Sequence, residues 1–461
     1  MRTVKHVGVI DIGKTNVKVA VVDVESGVEM GVMTRPNKVL AGPPYPHYDI
    51  DGHWDFILAS LQELHQSLRI DALSVSTHGA SVVLLGADGE LAAPTLDYEF
   101  DGPDDLAADY DAIRPEFSET GSPRLGMGLN VGAQLFWQLQ TDPTLKDRIA
   151  TVLTYPQYWA FRLTGKLSNE VTSLGCHTDL WNPIERKYSS LVGTLGLANK
   201  MAPVKSATKC LCYLRSAVAA ETGLPLDAPV ACGIHDSNAS LYPHLLKRTT
   251  PFSVVSTGTW VISLAIDGRD VELDPGRDTL INVNALGDPV PSARFMGGRE
   301  FDLVMGGRTH HFDECDIADV LAQEIMLFPA VDPRSGPFQG REHSWSIEQS
   351  DLSDGQRYVA LSFYLALVTA ECLNMIGAEG PVVVEGPFVQ NTLYLDMLKA
   401  VTGRPVESTD GSMTGTSIGA ALLVERGEKH ASHAENHIHP TADNEPGLAS
   451  YAARWKTLLE A

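Results

Sequence analysis

The stretch Val7-Gly8-Val9-Ile10-Asp11-Ile12-Gly13-Lys14-Thr15-Asn16-Val17-Lys18-Val19-Ala20-Val21-Val22-Asp23 decides the fold of this chain. Gly8 to Thr15 fits G-x-x-x-x-G-K-[ST], the string of a phosphate loop that leaves a strand and opens a helix. Here, however, Val9, Ile10, Asp11 and Ile12 lie between the glycines, and Val17, Val19 and Val21 follow at period two. Alternation of that kind predicts strand, tight turn, strand: a β-hairpin. Its turn offers backbone N–H groups, Gly13, Lys14, Thr15, Asn16 and one acid. The N–H groups and Lys14 suit phosphate oxygens, whereas Asp11 would repel a polyphosphate unless Mg²⁺ lay between them. Asp11 therefore has two open roles, metal-water ligand or simple cap of the turn.

The pattern returns in Phe252-Ser253-Val254-Val255-Ser256-Thr257-Gly258-Thr259-Trp260-Val261-Ile262-Ser263-Leu264. With Gly258 set over Gly13, a shift of 245 residues, Val254 falls on Val9, Val255 on Ile10, Ile262 on Val17 and Leu264 on Val19. Asp11 becomes Ser256 and Lys14 becomes Thr259, so a neutral turn answers a charged one. Internal duplication predicts two related domains, 1–246 and 247–461, each offering a hydrogen-bonding turn to one shared cleft. A length of 461 residues is in keeping with two cores.

Between the hairpins, Leu73 to Ala80 reads as a strand with a polar, small-residue tip, where α/β sheets bind ligands. At that tip His78, beside Gly79, either meets a substrate hydroxyl or satisfies loop backbone. Asp97-Tyr98-Glu99 sets two carboxylates around a ring, a pattern suited to a polyol and equally to solvent. Asn169 to Trp181 reads as a polar loop lining a cleft. Pro229 to Ser240 brings a small apolar strand to Gly233, with His235 and Asp236 where a helix begins. Asp236 is then an N-cap or a proton acceptor at a strand-to-helix junction. In the second half, Gln356 to Gly377 is a long helix, and Pro381 to Glu385 a buried strand. Gly386-Pro387-Phe388 turns from it toward Asn391 and a further helix. Small residues there would let a nucleoside ring slide against backbone, or merely allow a tight turn.

A balance of 35 basic to 58 acidic residues, net −23, argues against a nucleic-acid or anionic-membrane surface. Phe363 to Ile376, the longest apolar region, is interrupted by Glu371 and Asn374 and reads as too short to span a bilayer. Six cysteines without paired spacing, and no apolar leader, predict a cytoplasmic protein with reduced thiols.

With the two hairpins, the Asp236 junction and the Gly386 turn in this order, the chain resembles the FGGY sugar kinases of the actin-like ATPase superfamily over nearly its whole length. Asp11 to Asn16 is similar to the family's first phosphate motif, Ser256 to Thr259 to its second, and Glu385 to Asn391 with Gly415 to Leu422 to its adenosine motif and following helix. His235-Asp236-Ser237 looks most like the rhamnulose and fuculose kinase branch. The resemblance implies an α/β fold of two duplicated ribonuclease H-like (actin/hexokinase-type) domains with a cleft between them. It implies a catalytic base at Asp236 and Mg²⁺ at Asp11 and Asp236. ATP would lie between the domains, on Gly13, Lys14, Thr15, Asn16, Gly258, Thr259, Gly386, Pro387, Phe388 and Asn391. The sugar would meet His78, Gly79, Asp97 and His235. A deoxy-ketohexose, L-rhamnulose or L-fuculose, is the first expectation, and a pentulose the second. An actin-like ATPase switch is the rival from outside sugar metabolism, and a homodimer stays open. The chain departs from the family pattern at Leu96-Asp97-Tyr98-Glu99, which lacks the Trp and Arg of the usual acceptor motif, and at Pro387-Phe388 in a motif usually richer in Gly.

Overall fold

The structure is a computed structural model, in which residues 4–308, 311–409, 415–424, 437–438 and 445–460 are described. The chain forms two compact units, with a first change between Lys247 and Arg248. Residues 281–289 and the helix Gly415–Leu422 belong with the first unit.

In the first unit, His6–Ile12 pairs antiparallel with Asn16–Asp23, which pairs antiparallel with Val28–Pro36. On its other side His6–Ile12 runs parallel to Ala72–Thr77, which is parallel in turn to Pro229–Ala231. The apolar alternation seen in the sequence separates two layers. Ile10, Ile12, Val17, Val19 and Val21 pack with Ile57, Leu58, Leu61 and Leu64 of the helix Ile50–Ser67. Val7, Val9 and Val22 lie in a second cluster with Ala239 of the helix Asp236–Lys247 and Ala420 and Ala421 of Gly415–Leu422. Those two helices approach so closely that a Cβ on Gly419 would sit 1.7 Å from the Ala239 carbonyl oxygen. The small residues of Gly415–Leu422 thus seat the helix that begins at Asp236.

The second unit repeats the plan. Phe252–Thr257 pairs antiparallel with Val261–Ile266, which pairs antiparallel with Pro289–Phe295. Phe252–Thr257 is also parallel to Val382–Glu385, and that strand to Val406–Ser408. Three antiparallel strands followed by two parallel ones in each unit is the duplicated α/β plan expected from the sequence.

One detail of the expected duplication is corrected. In the first hairpin Ile12 faces Val17, but in the second Thr257 faces Val261, so the second turn is one residue shorter. Val261, not Ile262, occupies the place of Val17, and both are fully buried. Because side chains alternate at period two, a slip of one residue exchanges the faces of the whole return strand, and burial decides the register.

The long helix spans Asp354–Met375, 22 residues opened by a capping box of Ser353 and Gln356. It begins earlier than the sequence suggested and is long and apolar enough to cross a membrane, but 72% of its most apolar window is buried inside the protein. Phe363, Leu365, Ala366 and Leu367 lie in one cluster with Val382, Val384, Leu395 and Trp455, so it is a core helix of the second unit.

Candidate active site

The parallel strand Ala72–Thr77 ends at His78, next to Ile234–His235 on the same sheet edge. The His78 ring stands 5.1 Å from Tyr48, 5.1 Å from Tyr155 and 5.3 Å from Tyr98, centroid to centroid. Its Nδ1 is 2.8 Å from the Gly79 carbonyl oxygen, which only accepts, so Nδ1 carries the proton. Burial lowers the His78 pKa to about 4. The neutral ring therefore presents Nε2 as an acceptor, buried and without a partner among the described residues.

His235 is buried beside it. Its Nε2 lies 3.2 Å from Asp236 Oδ1 and 3.7 Å from Cys176 Sγ. Burial opposes charge on this ring, but Cys176 and Asp236 outweigh it and raise the pKa to about 9. Burial likewise favours the neutral Cys176 thiol, and His177 and His235 overcome that and bring it down to about 5. Gly79 makes the arrangement possible, since a Cβ there would come within 2.8 Å of His235 Nε2.

Asp236 opens its helix and accepts from Ser237 N–H on Oδ1 at 2.6 Å, with its side chain 31% exposed. Across the sheet, burial pushes the Asp11 pKa up to about 6. Lys18, with Nζ 3.6 Å from Asp11 Oδ2, pulls the other way, and the charge of Asp236 adds to the rise. Two hard oxygen donors near enough to feel each other's charge fit Mg²⁺, which is commonly held by one or two carboxylates with water and phosphate oxygens. Among the described residues no cluster of three or more His, Cys, Asp or Glu groups makes a metal cage of its own.

In the first turn, Gly13 N–H donates to the Asn16 carbonyl at 2.9 Å, and Thr15 and Asn16 are exposed. Lys14 turns away from them. It donates to Asp97 Oδ1, lies 3.1 Å from Glu99 Oε2, and stands over the rings of Tyr98 and Tyr48.

Behind His235 runs a buried brace. The loop expected over Asn169 to Trp181 contains the strand Asn169–Glu170 and a single turn of helix, Val171–Leu174. Thr172 donates through both its backbone N–H, at 3.0 Å, and its hydroxyl, at 2.5 Å, to Glu170 Oε2. The hydroxyl also accepts from His235 N–H at 3.0 Å. Among the described residues Glu170 Oε1 has no hydrogen-bond partner, and burial pushes the carboxyl up to about 7. A raised carboxyl stabilises the fold fully below its unfolded pKa near 4.5, and that contribution is lost as pH rises through 7. Glu170→Gln is accordingly expected to match the wild type in thermal melts near pH 4 and to exceed it by roughly 3 kcal/mol at pH 8. Melting curves that stay parallel across that range would show that Glu170 ionises normally in the fold.

In the second unit, Thr257 Oγ1 donates to the Glu385 carbonyl at 2.6 Å and accepts from Phe388 N–H at 3.1 Å. Gly386 holds φ 86° and ψ −167°, and a Cβ there would stand 2.0 Å from the carbonyl oxygen of Thr257, the last residue of the strand that leads into Gly258 and exposed Thr259. A Cβ on Gly298 would meet the Gly258 carbonyl at 2.2 Å, so the helix Gly297–Met305 also starts against this turn. Pro387 is exposed. Two residues expected at the nucleotide are otherwise engaged. Asn391 Oδ1 caps the helix Thr392–Thr402 through Tyr394 N–H at 3.1 Å, and its Nδ2 donates to Ser362 at 2.9 Å. Phe388 is buried between Phe301 and Tyr394.

Sequence reading thus named Asp11, Lys14, His78, Gly79, Asp97, His235 and Asp236, which the first unit assembles. It missed Lys18, Tyr48, Tyr155, Glu170 and Cys176. Only the polar run around Thr172 carried a signal; Tyr48 and Tyr155 reach the site through packing that no local pattern announces.

The N-terminal domain of the FGGY family of carbohydrate kinases matches residues 6–242, and the FGGY C-terminal domain matches residues 249–433. The chain belongs to the FGGY family of carbohydrate kinases. A carbohydrate kinase from Novosphingobium aromaticivorans has a solved structure that is 33% identical, with TM-score 0.91, covering 98% of this chain and 100% of that one. A probable L-xylulose kinase of Haemophilus influenzae is 26% identical over 55% of this chain and 54% of its own length. An L-fuculokinase of Escherichia coli is 24% identical over 58% of this chain and 57% of its own. The chain therefore spans about half the length of the curated relatives it matches.

Proposed function

We propose that the chain is an ATP-dependent kinase that transfers the γ-phosphate of ATP to a hydroxyl of a small ketose. The substrate proposed first is a deoxy-ketohexose, L-rhamnulose or L-fuculose. The observation that carries this reading is His78: a buried, neutral ring whose bare Nε2 needs a donor such as a sugar hydroxyl. The rings of Tyr48, Tyr98 and Tyr155 around it supply an apolar wall for the C–H face or methyl end of a deoxy sugar. A pentulose, ribulose or xylulose, is the second reading, supported by similarity to the probable L-xylulose kinase.

Phosphoryl transfer asks little covalent chemistry of the protein, and positioning with charge stabilisation supplies most of the acceleration. Asp236 accepts the proton of the sugar hydroxyl. Its Oδ1 is held by Ser237 N–H and His235, and its partial exposure keeps it within reach of a ligand. The turn of Gly13, Thr15 and Asn16 suits phosphate oxygens, and in the second unit the turn of Gly258, Thr259 and Gly386 likewise offers backbone groups suited to a nucleotide. Asp11 and Asp236 would hold Mg²⁺, which when bound offsets charge on the phosphate oxygens.

The test is ATP consumption with Mg²⁺ against rhamnulose, fuculose, ribulose and xylulose, with glycerol as control. Strong stimulation by one ketose supports the kinase reading and names the substrate. ATP hydrolysis at one rate whatever the sugar would overturn it in favour of an ATPase switch.

A further inference from the structure

Lys14 occupies the first phosphate turn, yet its side chain serves another partner. Its ammonium is held by Asp97 and by Glu99 Oε2 at 3.1 Å, and stands 4.7 Å above the Tyr98 ring and 5.5 Å above Tyr48. One cation between two carboxylates leaves the cluster net negative, which disfavours the close approach of a polyphosphate. The faces of two tyrosine rings add attraction that holds the ammonium where it is.

The pairing also orders Asp97. Lys14, the Tyr48 hydroxyl at 3.1 Å and Glu99 N–H at 3.2 Å all donate to the same oxygen, Oδ1. No hydrogen bond among the described residues reaches Oδ2, although the Asp97 side chain is only 9% exposed. His78 Nε2, on the ring that packs against Tyr48 and Tyr98, is the second acceptor left bare. Two bare acceptors call for two hydroxyl donors, and an ammonium with two of its three N–H groups committed keeps one for an oxygen that accepts.

We propose that Lys14 is a sugar-recognition residue, and that the Lys14–Asp97 pair with His78 reads two hydroxyls and an adjacent carbonyl oxygen of the ketose. This rests on the kinase reading above and assigns Lys14 to the sugar end of the site instead of the phosphate chain. An alditol, whose carbonyl carbon bears a hydroxyl, meets Lys14 with a poorer acceptor and is the disfavoured ligand.

The experiment compares wild type, Lys14→Met and Lys14→Arg in two measurements. One is the KM for ketose and for ATP in steady-state turnover. The other is calorimetric titration with ketose and, separately, with a non-hydrolysable ATP analogue. For Lys14→Met the ketose KM and dissociation constant are expected to rise roughly 10- to 100-fold, the range for a lost hydrogen bond to a charged group. Affinity for the ATP analogue should stay within about twofold, and Lys14→Arg should recover part of the ketose affinity because it still pairs with both carboxylates. Loss of analogue affinity with an unchanged ketose constant would return Lys14 to the phosphates and overturn the proposal. Unchanged values for both would reduce the cluster to an ion pair without a ligand and overturn it equally. If the wild type binds ketose without consuming ATP, the kinase reading fails while the Lys14 comparison still decides this one. If it binds no ketose at all, both fall.

Discussion

Asp236→Asn is expected to lower kcat by roughly 10²- to 10⁴-fold, the usual contribution of a general base. Asn has the shape of Asp and can still accept from Ser237 N–H, whose bond to Oδ1 is 2.6 Å long in the wild type. The helix Asp236–Lys247 is seated by Gly419 against the Ala239 carbonyl and by the Ser240–Thr416 hydroxyl pair at 3.0 Å, neither of which involves the side chain of residue 236. The fold should therefore survive, and binding of an ATP analogue at Gly258, Thr259 and Gly386 should persist. What the amide cannot do is take up a proton. Turnover within a fewfold of wild type, measured with the ketose that supports the highest rate, would remove Asp236 from that role.

Gly386→Ala is expected to destabilise the second unit by about 3 kcal/mol or more, with a fall in melting temperature of roughly 6–12 °C and loss of ATP-analogue binding. Two effects combine. A backbone at φ 86° and ψ −167° is in a region that only Gly occupies without strain. In addition, a Cβ would stand 2.0 Å from the Thr257 carbonyl oxygen and 2.8 Å from its Oγ1. Thr257 Oγ1 is what ties the Glu385 carbonyl to Phe388 N–H, so the whole turn would have to shift. Gly403→Ala provides the control. Gly403 also has a positive φ, 63°, at a helix C-cap, but a Cβ there meets nothing within 4 Å. Its cost should be backbone strain alone, about 1 kcal/mol, with nucleotide binding intact. Equal losses for the two variants would mean that the close approach at Thr257 carries no weight.

How much was legible beforehand depended on the range of the interaction. Both hairpins, the Asp236 junction and the Gly386 turn were readable because each is a local pattern: period-two alternation into Gly, or a small-residue strand into an acid. The residues brought against His78 were not. Tyr48 follows a proline-rich stretch and Tyr155 opens a helix, and neither position has a periodicity that points at a strand tip elsewhere in the chain. Asn391 and Phe388 show side-chain partners that a local pattern does not announce. Their neighbourhood in sequence suggested the nucleotide, whereas one is spent capping a helix and the other fills the core.

By itself the amino-acid sequence determined that two copies of one α/β plan follow each other, since alternation, turn glycines and apolar runs act within a few residues of themselves. It also determined which acid stands at a strand-to-helix junction. Only the tertiary structure decided that Val261 takes the place of Val17, because a choice between two faces of a strand is made by what buries it. Only the tertiary structure decided, too, that the helix Gly415–Leu422 seats the helix of Asp236, and that Lys14 reaches Asp97 across 83 residues of chain. Close helix packing and the pairing of charges depend on distances in space, and a linear pattern records none of them.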